Sequence, residues 1–371
     1  MDHRTAERDA AATNPTGFST VLEAASGRGR FIRPLRFQPA HEVELDPEQV
    51  IDILGTQANA SAGLALLGDK KLLLSSTGQC FIMYAVRGRS WVALFDPVGP
   101  MEHWGETVRL FMARARAAGC RQVFYQVSPR FLPLAIECGL VAHKLGEQAI
   151  VDLQRFELKG GDWLKLRRSI NRAERDGLEF TWFPAEQVPQ LLPELRSVSD
   201  QWLKAHNAAE KGFSLGTFQD DYLCKSPVAV IRLEGRIVAF ASVMTASSEG
   251  DTFIDLMRHI PGTHRGMMDL LFVRIMEKLK ADGYQTLNLG MAPLAGLSEH
   301  PCAPLWHRIC RFVFEHGERL YNFRGVQSFK AKFDPDWQPR YLVVKGNGLP
   351  ITALCDVTLL ISGGLKGVFR R

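Results

Sequence analysis

No stretch of this sequence comes near the roughly 18 to 20 uninterrupted apolar residues that a membrane-spanning helix needs, so no spanning helix is expected. A secretory signal is missing as well: Met1 to Ser26 is polar and alanine-rich, with acidic residues and no apolar core. Residues 1–30 therefore read as a disordered lead-in. The seven cysteines (Cys80, Cys120, Cys138, Cys224, Cys302, Cys310 and Cys355) are scattered, odd in number and free of any C-x-x-C. This pattern argues against a disulfide framework and suits a reducing cytosol, where most act as small core residues. Neither sign of charge dominates: 45 Lys and Arg against 40 Asp and Glu give a net +5 and a pI near 8.8. Such a mild excess allows a polyanionic partner, nucleic acid or an acidic membrane surface, without requiring one. What is present, 46% apolar and 23% charged residues in a chain of 371, fits a soluble globular protein long enough for two domains.

The chain repeats one order of elements. A helix is expected after Asp46-Pro47, where Asp suits the N-cap and Pro the first helical position. Three short apolar runs follow, Lys71 to Leu74, Phe81 to Val86 and Trp91 to Phe95, punctuated by Ser-Thr-Gly and Arg-Gly-Arg as in a meander. A helix over about Glu106 to Ala118 stops at Gly119, and a strand begins at Gln122. The second half does the same. Val228 to Leu233, Val238 to Met244 and Thr252 to Met257 are strand-like. A helix runs from about Gly266 to Ala281 with Met268, Leu271, Ile275 and Leu279 on one face, and a strand begins at Gln285. Strand, strand, strand, helix, strand resembles the core of the GNAT acyltransferase fold. The expected architecture is α+β, with two GNAT-like folds in tandem: 31–160 as a supporting copy and 161–348 as a catalytic one, each with its own mixed sheet.

A basic helix joins the copies. In Asp162 to Arg175 the cations Lys165, Arg168, Arg172 and Arg175 recur at three- and four-residue steps and share one face, with Leu166, Ile170 and Ala173 on another. Such a ridge can track a phosphate backbone, or it can be an ordinary solvated face. Elsewhere, Asp255-Leu256-Met257-Arg258 and Phe329-Lys330-Ala331-Lys332-Phe333 place one carboxylate and three cations inside apolar stretches. Charges there cost free energy unless they pair or face a cavity, which makes them candidates for binding an anionic, acyl-bearing substrate.

Several motifs resemble a known family. Asp255-Leu256-Met257-Arg258, His264-Arg265-Gly266-Met267-Met268-Asp269 and Asn288-Leu289-Gly290-Met291-Ala292-Pro293-Leu294 are similar to the soluble catalytic domain of bacterial aminoacyl-phosphatidylglycerol synthases, also called multiple peptide resistance factors. Gly212 to Gly216, Asp221-Tyr222-Leu223, Tyr321 to Gly325 and Phe329 to Phe333, with Pro335 and Trp337, extend the resemblance over roughly Phe31 to Tyr341. It implies transfer of a lysyl or alanyl group from aminoacyl-tRNA to the headgroup glycerol of phosphatidylglycerol. Membrane charge and resistance to cationic antimicrobial peptides change as a result. It also implies work at the cytoplasmic face of the bacterial inner membrane. The usual member carries a large membrane domain ahead of this part, so the chain is expected to be an excised catalytic domain or a free-standing relative that does not flip lipid. The donor is already activated; no ATP, metal or acyl cofactor is required.

The chemistry needs positioning, a proton acceptor and stabilisation of an oxyanion. Asp255 and Asp269 are the carboxylate candidates, one for the hydroxyl proton and one for the α-ammonium. Their assignment stays open, and Asp269 equally suits a helix N-terminus. Arg258 can pair with Asp255 or fork onto a phosphate. Lys330 and Lys332, if they lie in a strand, point to one side and call for an anion between them. His264 and Arg265 precede a helix whose N–H groups favour an anion, although Met267-Met268 lacks the second small residue of a coenzyme A loop. The resemblance adds Asn288, Tyr321 and Arg324 as substrate-binding candidates. His300-x-Cys302-x4-His307-x2-Cys310 has zinc-ligand residue types without a usual zinc spacing, and no metal is expected. The tail, 349–371, is apolar and then basic, which fits a segment on an anionic bilayer or a terminal helix packed on the core. Three competing readings remain: a Fem-like transferase acting on peptidoglycan precursors, a coenzyme A-dependent acetyltransferase, and a non-catalytic membrane- or RNA-binding module.

Overall fold

The computed structural model describes residues 47–363 apart from 247–249, 299, 301, 317–322 and 347–348. The lead-in expected at 1–30 lies outside these residues. The described helices are α1 (Pro47–Gly55), α2 (Trp104–Ala117), α3 (Leu132–Glu137), α4 (Leu164–Arg175), α5 (Leu192–Ala205), α6 (Asp220–Leu223), α7 (Met267–Ala281), α8 (Leu305–His316), α9 (Phe323–Ala331) and α10 (Ile351–Ile361). The strands are β1 (Lys71–Leu74), β2 (Phe81–Arg87), β3 (Ser90–Leu94), β4 (Arg121–Val127), β5 (Leu140–Asp152), β6 (Leu178–Phe183), β7 (Val228–Leu233), β8 (Arg236–Thr245), β9 (Asp251–His259), β10 (Thr286–Pro293) and β11 (Asp336–Lys345). A 3-10 segment, Ala60–Leu67, packs beside β8 and β9.

The repeated order read from the sequence is present in both halves, and the α+β class with it. The two sheets expected are instead one sheet of 11 strands in the order β1-β2-β3-β4-β11-β5-β10-β9-β8-β7-β6. The cause is an exchange at the centre. β11, from the end of the chain, pairs with β4 of the first half, while β5 pairs with both β11 and β10. Each half thus covers an edge of the other that would otherwise present unpaired N–H and C=O groups. One core runs under the join, packing Phe81, Leu94 and Tyr125 with Phe213, Tyr222, Met244, Phe253 and Leu342.

The apolar period of α7 behaves as expected: Leu271, Ile275 and Leu279 are fully buried against the sheet. α4 buries Leu166, Ile170 and Ala173 and exposes Lys165, Arg168, Arg172 and Arg175. Its N-cap residue is Trp163, with no side-chain cap bond, so Asp162 does not cap it. One expectation fails outright. Phe329 to Phe333 is not a strand: α9 ends at Ala331, and Lys332 and Phe333 close the turn after it through backbone bonds to Phe329 and Lys330. Phe329 and Phe333, four residues apart, both pack on Phe272 of α7, as helical spacing allows.

Candidate active site

β9 and β10 are parallel neighbours only over Thr286, Leu287 and Asn288; beyond that point β10 leaves β9 and keeps only its pairing with β5, which runs from Thr286 to Pro293. The separation begins at a bulge between Asn288 and Met291, where Gly290 takes φ +82, a left-handed conformation that a side chain would strain. The Asn288 side-chain oxygen holds the bulge by accepting the Gly290 N–H at 2.8 Å. Beyond Asn288 no β9–β10 pairing is present among the described residues, and this opening between the two strands is the cleft.

Lys330 enters the cleft from the last turn of α9. It is 8% exposed, and its Nζ donates to the Met291 carbonyl at 2.9 Å. Burial lowers its pKa to about 7, so near neutrality a substantial fraction is the free amine. A Cβ at position 290 would stand 3.5 Å from that Nζ and 3.9 Å from the Phe253 ring, which places Lys330 beside β9.

Asp255 lies on the same sheet face as Phe253, two residues along β9. It accepts the Gly216 N–H at 2.8 Å and the Tyr222 hydroxyl at 2.7 Å. A side chain at 216 would collide with the Asp255 carboxylate, so the Gly212–Gly216 loop can close over it only with glycine there. The loop is held from the first half: Asp69 accepts the Phe213 N–H at 2.7 Å, and Lys70 pairs with Asp69 and donates to the Phe213 carbonyl at 2.9 Å. Burial raises the pKa of Asp255, opposed by its bonds from Tyr222 and Gly216 and by the charges of Lys70 and Arg258. Burial likewise lowers that of Lys70 and, with Asp255 beside it, raises that of Tyr222.

Arg258 does not form the ion pair with Asp255 that the sequence allowed. Its guanidinium sits 4.4 Å above the Trp202 ring of α5 and pairs with Glu210 at 3.1 Å, with Asp255 only a longer-range attraction. Trp202 also stacks on His206, with ring centroids 4.4 Å apart. Burial lowers the Arg258 pKa. Arg258 Nε and Glu210 Oε1 are buried without a hydrogen-bond partner among the described residues, so each retains capacity for one more.

Asp269 and Lys332 belong to a second cluster. In the first turn of α7, Asp269 accepts from Ser169 Oγ of α4 at 2.7 Å and from Lys332 Nζ at 2.8 Å. Lys332 is half-exposed and faces a different partner from Lys330, which removes the need for an anion between the two lysines. The carboxylate is thereby occupied in tying α4, α7 and the turn after α9 together. His264 Nδ1 accepts the Gly266 N–H at 3.0 Å, so its Nε2 carries the proton toward Asp176 at 3.2 Å. That bond uses an N–H at the start of α7 that the anion reading required. Arg265 is exposed, as is Arg324 on α9; Tyr321 lies outside the described residues. His300 Nδ1 and His307 Nδ1 accept backbone N–H groups, Cys310 is buried, and no three metal-ligating residues converge among the described residues.

Sequence reasoning passed over Asp69, Lys70, Trp202 and Glu210 and left Tyr222 without a role. Lys70 and Phe213 are 143 positions apart, and no local pattern signals their contact. In the first half, Asp96 sits after β3 and accepts the Ser128 N–H at 2.9 Å, away from the Asp255 network. Asp96→Ala is expected to lower stability by about 1 to 3 kcal/mol, since a buried donor loses its partner, with turnover within twofold of the parent. A folded variant without turnover, read by circular dichroism and initial rate together, would contradict a purely supporting first half.

Comparison with known proteins bears on the family. Residues 52–344 match the family model for phosphatidylglycerol lysyltransferase, C-terminal. The phosphatidylglycerol lysyltransferase of Bacillus subtilis (strain 168) is 36% identical over 336 residues, covering 89% of this chain and 39% of that protein. That of Staphylococcus aureus (strain MRSA252) is 33% identical over 299 residues, covering 80% and 35%. The chain therefore spans under two-fifths of these relatives' length. Among solved structures, a C-terminal domain assigned to a lysylphosphatidylglycerol synthetase of Agrobacterium fabrum is 48% identical with a TM-score of 0.78, over 86% of this chain and 98% of that one. L-PGS from Bacillus licheniformis is 38% identical with a TM-score of 0.75, over 85% and 97%. FemX, at 9% identity and a TM-score of 0.52, shares the fold alone. With residues 52–344 matched by the family model and relatives at 33% and 36% identity, the chain belongs to the phosphatidylglycerol lysyltransferase C-terminal family.

Proposed function

We propose that this chain catalyses transfer of an aminoacyl group, lysyl first among the candidates, from aminoacyl-tRNA to the headgroup glycerol of phosphatidylglycerol at the cytoplasmic face of the bacterial inner membrane. The observation that carries the reading is the cleft where β9 and β10 part. Asp255, a buried carboxylate on β9, and Lys330, a buried amine with a pKa near 7 that bonds β10 at Met291, stand at the two strands that part there and support the reading.

In this mechanism the neutral Lys330 amine accepts the proton of the attacking glycerol hydroxyl as its oxygen bonds to the ester carbonyl carbon. The bond from that carbon to the terminal ribose oxygen of the tRNA then breaks, and Lys330 returns the proton to the ribose oxygen. One ester replaces another, with no net proton or electron demand. Asp255, pinned by Tyr222 and Gly216, holds the α-ammonium of the donor. Asp269, already satisfied by Ser169 and Lys332, supports the site through α4 and α7. The names of the relatives favour lysine as the amino acid, and the unpartnered Glu210 oxygen gives a cation a place to bind.

The exposed ridge of α4 is proposed to carry the tRNA backbone. Arg172 and Arg175 share Asp176, while Lys165 and Arg168 have no carboxylate partner among the described residues. Arg168→Glu with Arg172→Glu is expected to raise KM for charged tRNA by at least about tenfold. The slope of log KM against log salt should fall by roughly 1.5 to 2, as two phosphate contacts are lost. An unchanged salt slope would remove α4 from the tRNA path. The reading as a whole is tested by the rate at which deacylated tRNA appears, with and without phosphatidylglycerol vesicles. A lipid-stimulated rate supports it, and a rate indifferent to lipid defeats it.

A further inference from the structure

At the end of the sheet distant from the Lys330 contact, the first half, β11 and the start of α10 gather cations around a cleft of about 400 Å³. Its lining includes Arg116 at the end of α2, Arg121 at the start of β4, Lys345 at the end of β11, and Leu349 and Pro350 leading into α10. Arg87 and Arg89 flank the neighbouring β2–β3 turn, and the Arg89 carbonyl accepts the Arg121 N–H at 2.7 Å. The carboxylate here, Asp356, is already engaged by Arg121 at 3.0 Å and by Ser90 at 2.6 Å. Arg87, Arg89, Arg116 and Lys345 have no carboxylate partner among the described residues. Beside them, Leu349 is 38% and Ile351 60% exposed, although Ala353 and Val357 of the same segment pack into the core.

Register relates this face to the cleft. β5 pairs Gln148 with Met291, whose carbonyl holds Lys330, and Leu140 with Lys345. Eight residues of strand separate the two points, roughly 26 Å at about 3.3 Å per residue. The direction from Gln148 to Leu140 continues that of the C-terminal end of β10, toward which the cleft opens. α10 also packs into the same core as Phe213, Tyr222 and Phe253, so it lies on the side of the sheet where Tyr222 meets Asp255.

We propose that Arg87, Arg89, Arg116 and Lys345, with Leu349 and Ile351, form a docking face for an anionic phospholipid bilayer. Anionic headgroups match the cations, and the two exposed aliphatic side chains enter the acyl boundary. Those side chains favour a bilayer over RNA, which would leave them in water. Docked there, the protein presents the open end of its cleft toward the surface that holds the acceptor. The inference rests on the transferase reading for the acceptor being a membrane lipid.

The test is cosedimentation, without tRNA, on vesicles of equal parts phosphatidylglycerol and phosphatidylcholine, against pure phosphatidylcholine. Arg116→Glu with Lys345→Glu is expected to weaken partition to the anionic vesicles by about 30-fold or more, given about tenfold per 1.4 kcal/mol and about 1 kcal/mol per basic residue. Ile351→Glu should weaken it as well. Turnover with monomeric dihexanoyl-phosphatidylglycerol should match the parent in every variant, which establishes that the cleft is intact. Unchanged vesicle partition in the variants would overturn the proposal. So would lost affinity for charged tRNA with vesicle binding retained, which marks an RNA surface. Partition is read without catalysis, so failure of the transferase reading shows separately, as absent turnover on every acceptor.

Discussion

Replacing Lys330 by Met is expected to lower kcat by about 10²- to 10⁴-fold, the usual contribution of a positioned proton acceptor, while raising the melting temperature by a few degrees. The two effects have one cause. In the unfolded chain the amine titrates near 10.4; in the fold, burial brings it to about 7. Below pH 7 the group is protonated in both states, and the full cost of a buried charge weighs on the fold. Between about pH 7 and 10 the unfolded state binds the extra proton, so parent stability rises with pH across that window. The stability gap between the Lys330→Met variant and the parent is therefore widest at low pH and closes toward pH 10. Turnover by the parent should rise with pH and level off above about 7, as the free amine accumulates. Lys330→Arg, which stays charged throughout, is expected to be as inactive as the Lys330→Met variant without its gain in stability. A lysine that serves only packing would show no such pH profile, and losing it would leave kcat near the parent value.

Asp255→Asn is expected to lower kcat/KM for charged tRNA by about 10²- to 10³-fold, as a pre-set carboxylate no longer meets the cationic end of the donor. Most of the loss should fall on KM if the carboxylate binds the α-ammonium, and on kcat if it acts in proton transfer. Stability should not suffer. Burial raises the Asp255 pKa in the fold, so ionising it above the unfolded value of about 3.9 costs the folded state, and a neutral amide removes that cost. Tyr222→Phe, which removes a single donor at 2.7 Å, should weaken turnover by about tenfold. An Asp255→Asn variant with parental kcat/KM would strip Asp255 of its place in the site.

The sequence revealed those parts of the fold written in local periodicity. Strands β1 to β4 and β7 to β10, and helices α2, α4 and α7, were legible from apolar spacing and from glycine at their ends. The exchange of β5 and β11 was not, because the register between Gln148 and Gln338 depends on which strands meet in space. The Phe329 to Phe333 segment misled because five alternating residues also satisfy a four-residue helical step, and only the packing on Phe272 decides between them. Among the candidate residues, Asp255, Arg258 and Lys330 stood out as charged groups in apolar runs, and Asn288 entered through the family resemblance. Their partners did not: Glu210, Trp202, Asp69 and Lys70 lie in loops and helix ends where a charged or aromatic residue is unexceptional. Of the tail 349–371, the described part packs Ala353 and Val357 into the core and leaves Ile351 exposed, while its basic end, 364–371, lies outside the described residues.

The measurement that bears most directly on the central claim is transfer of radiolabelled lysine from pre-charged tRNA into organic-extractable lipid, on phosphatidylglycerol vesicles with no ATP, with alanyl-tRNA run alongside. The account predicts lipid-borne label from lysyl-tRNA that disappears in both Lys330→Met and Asp255→Asn. Folded parent protein that moves no label into lipid from either charged tRNA would contradict it.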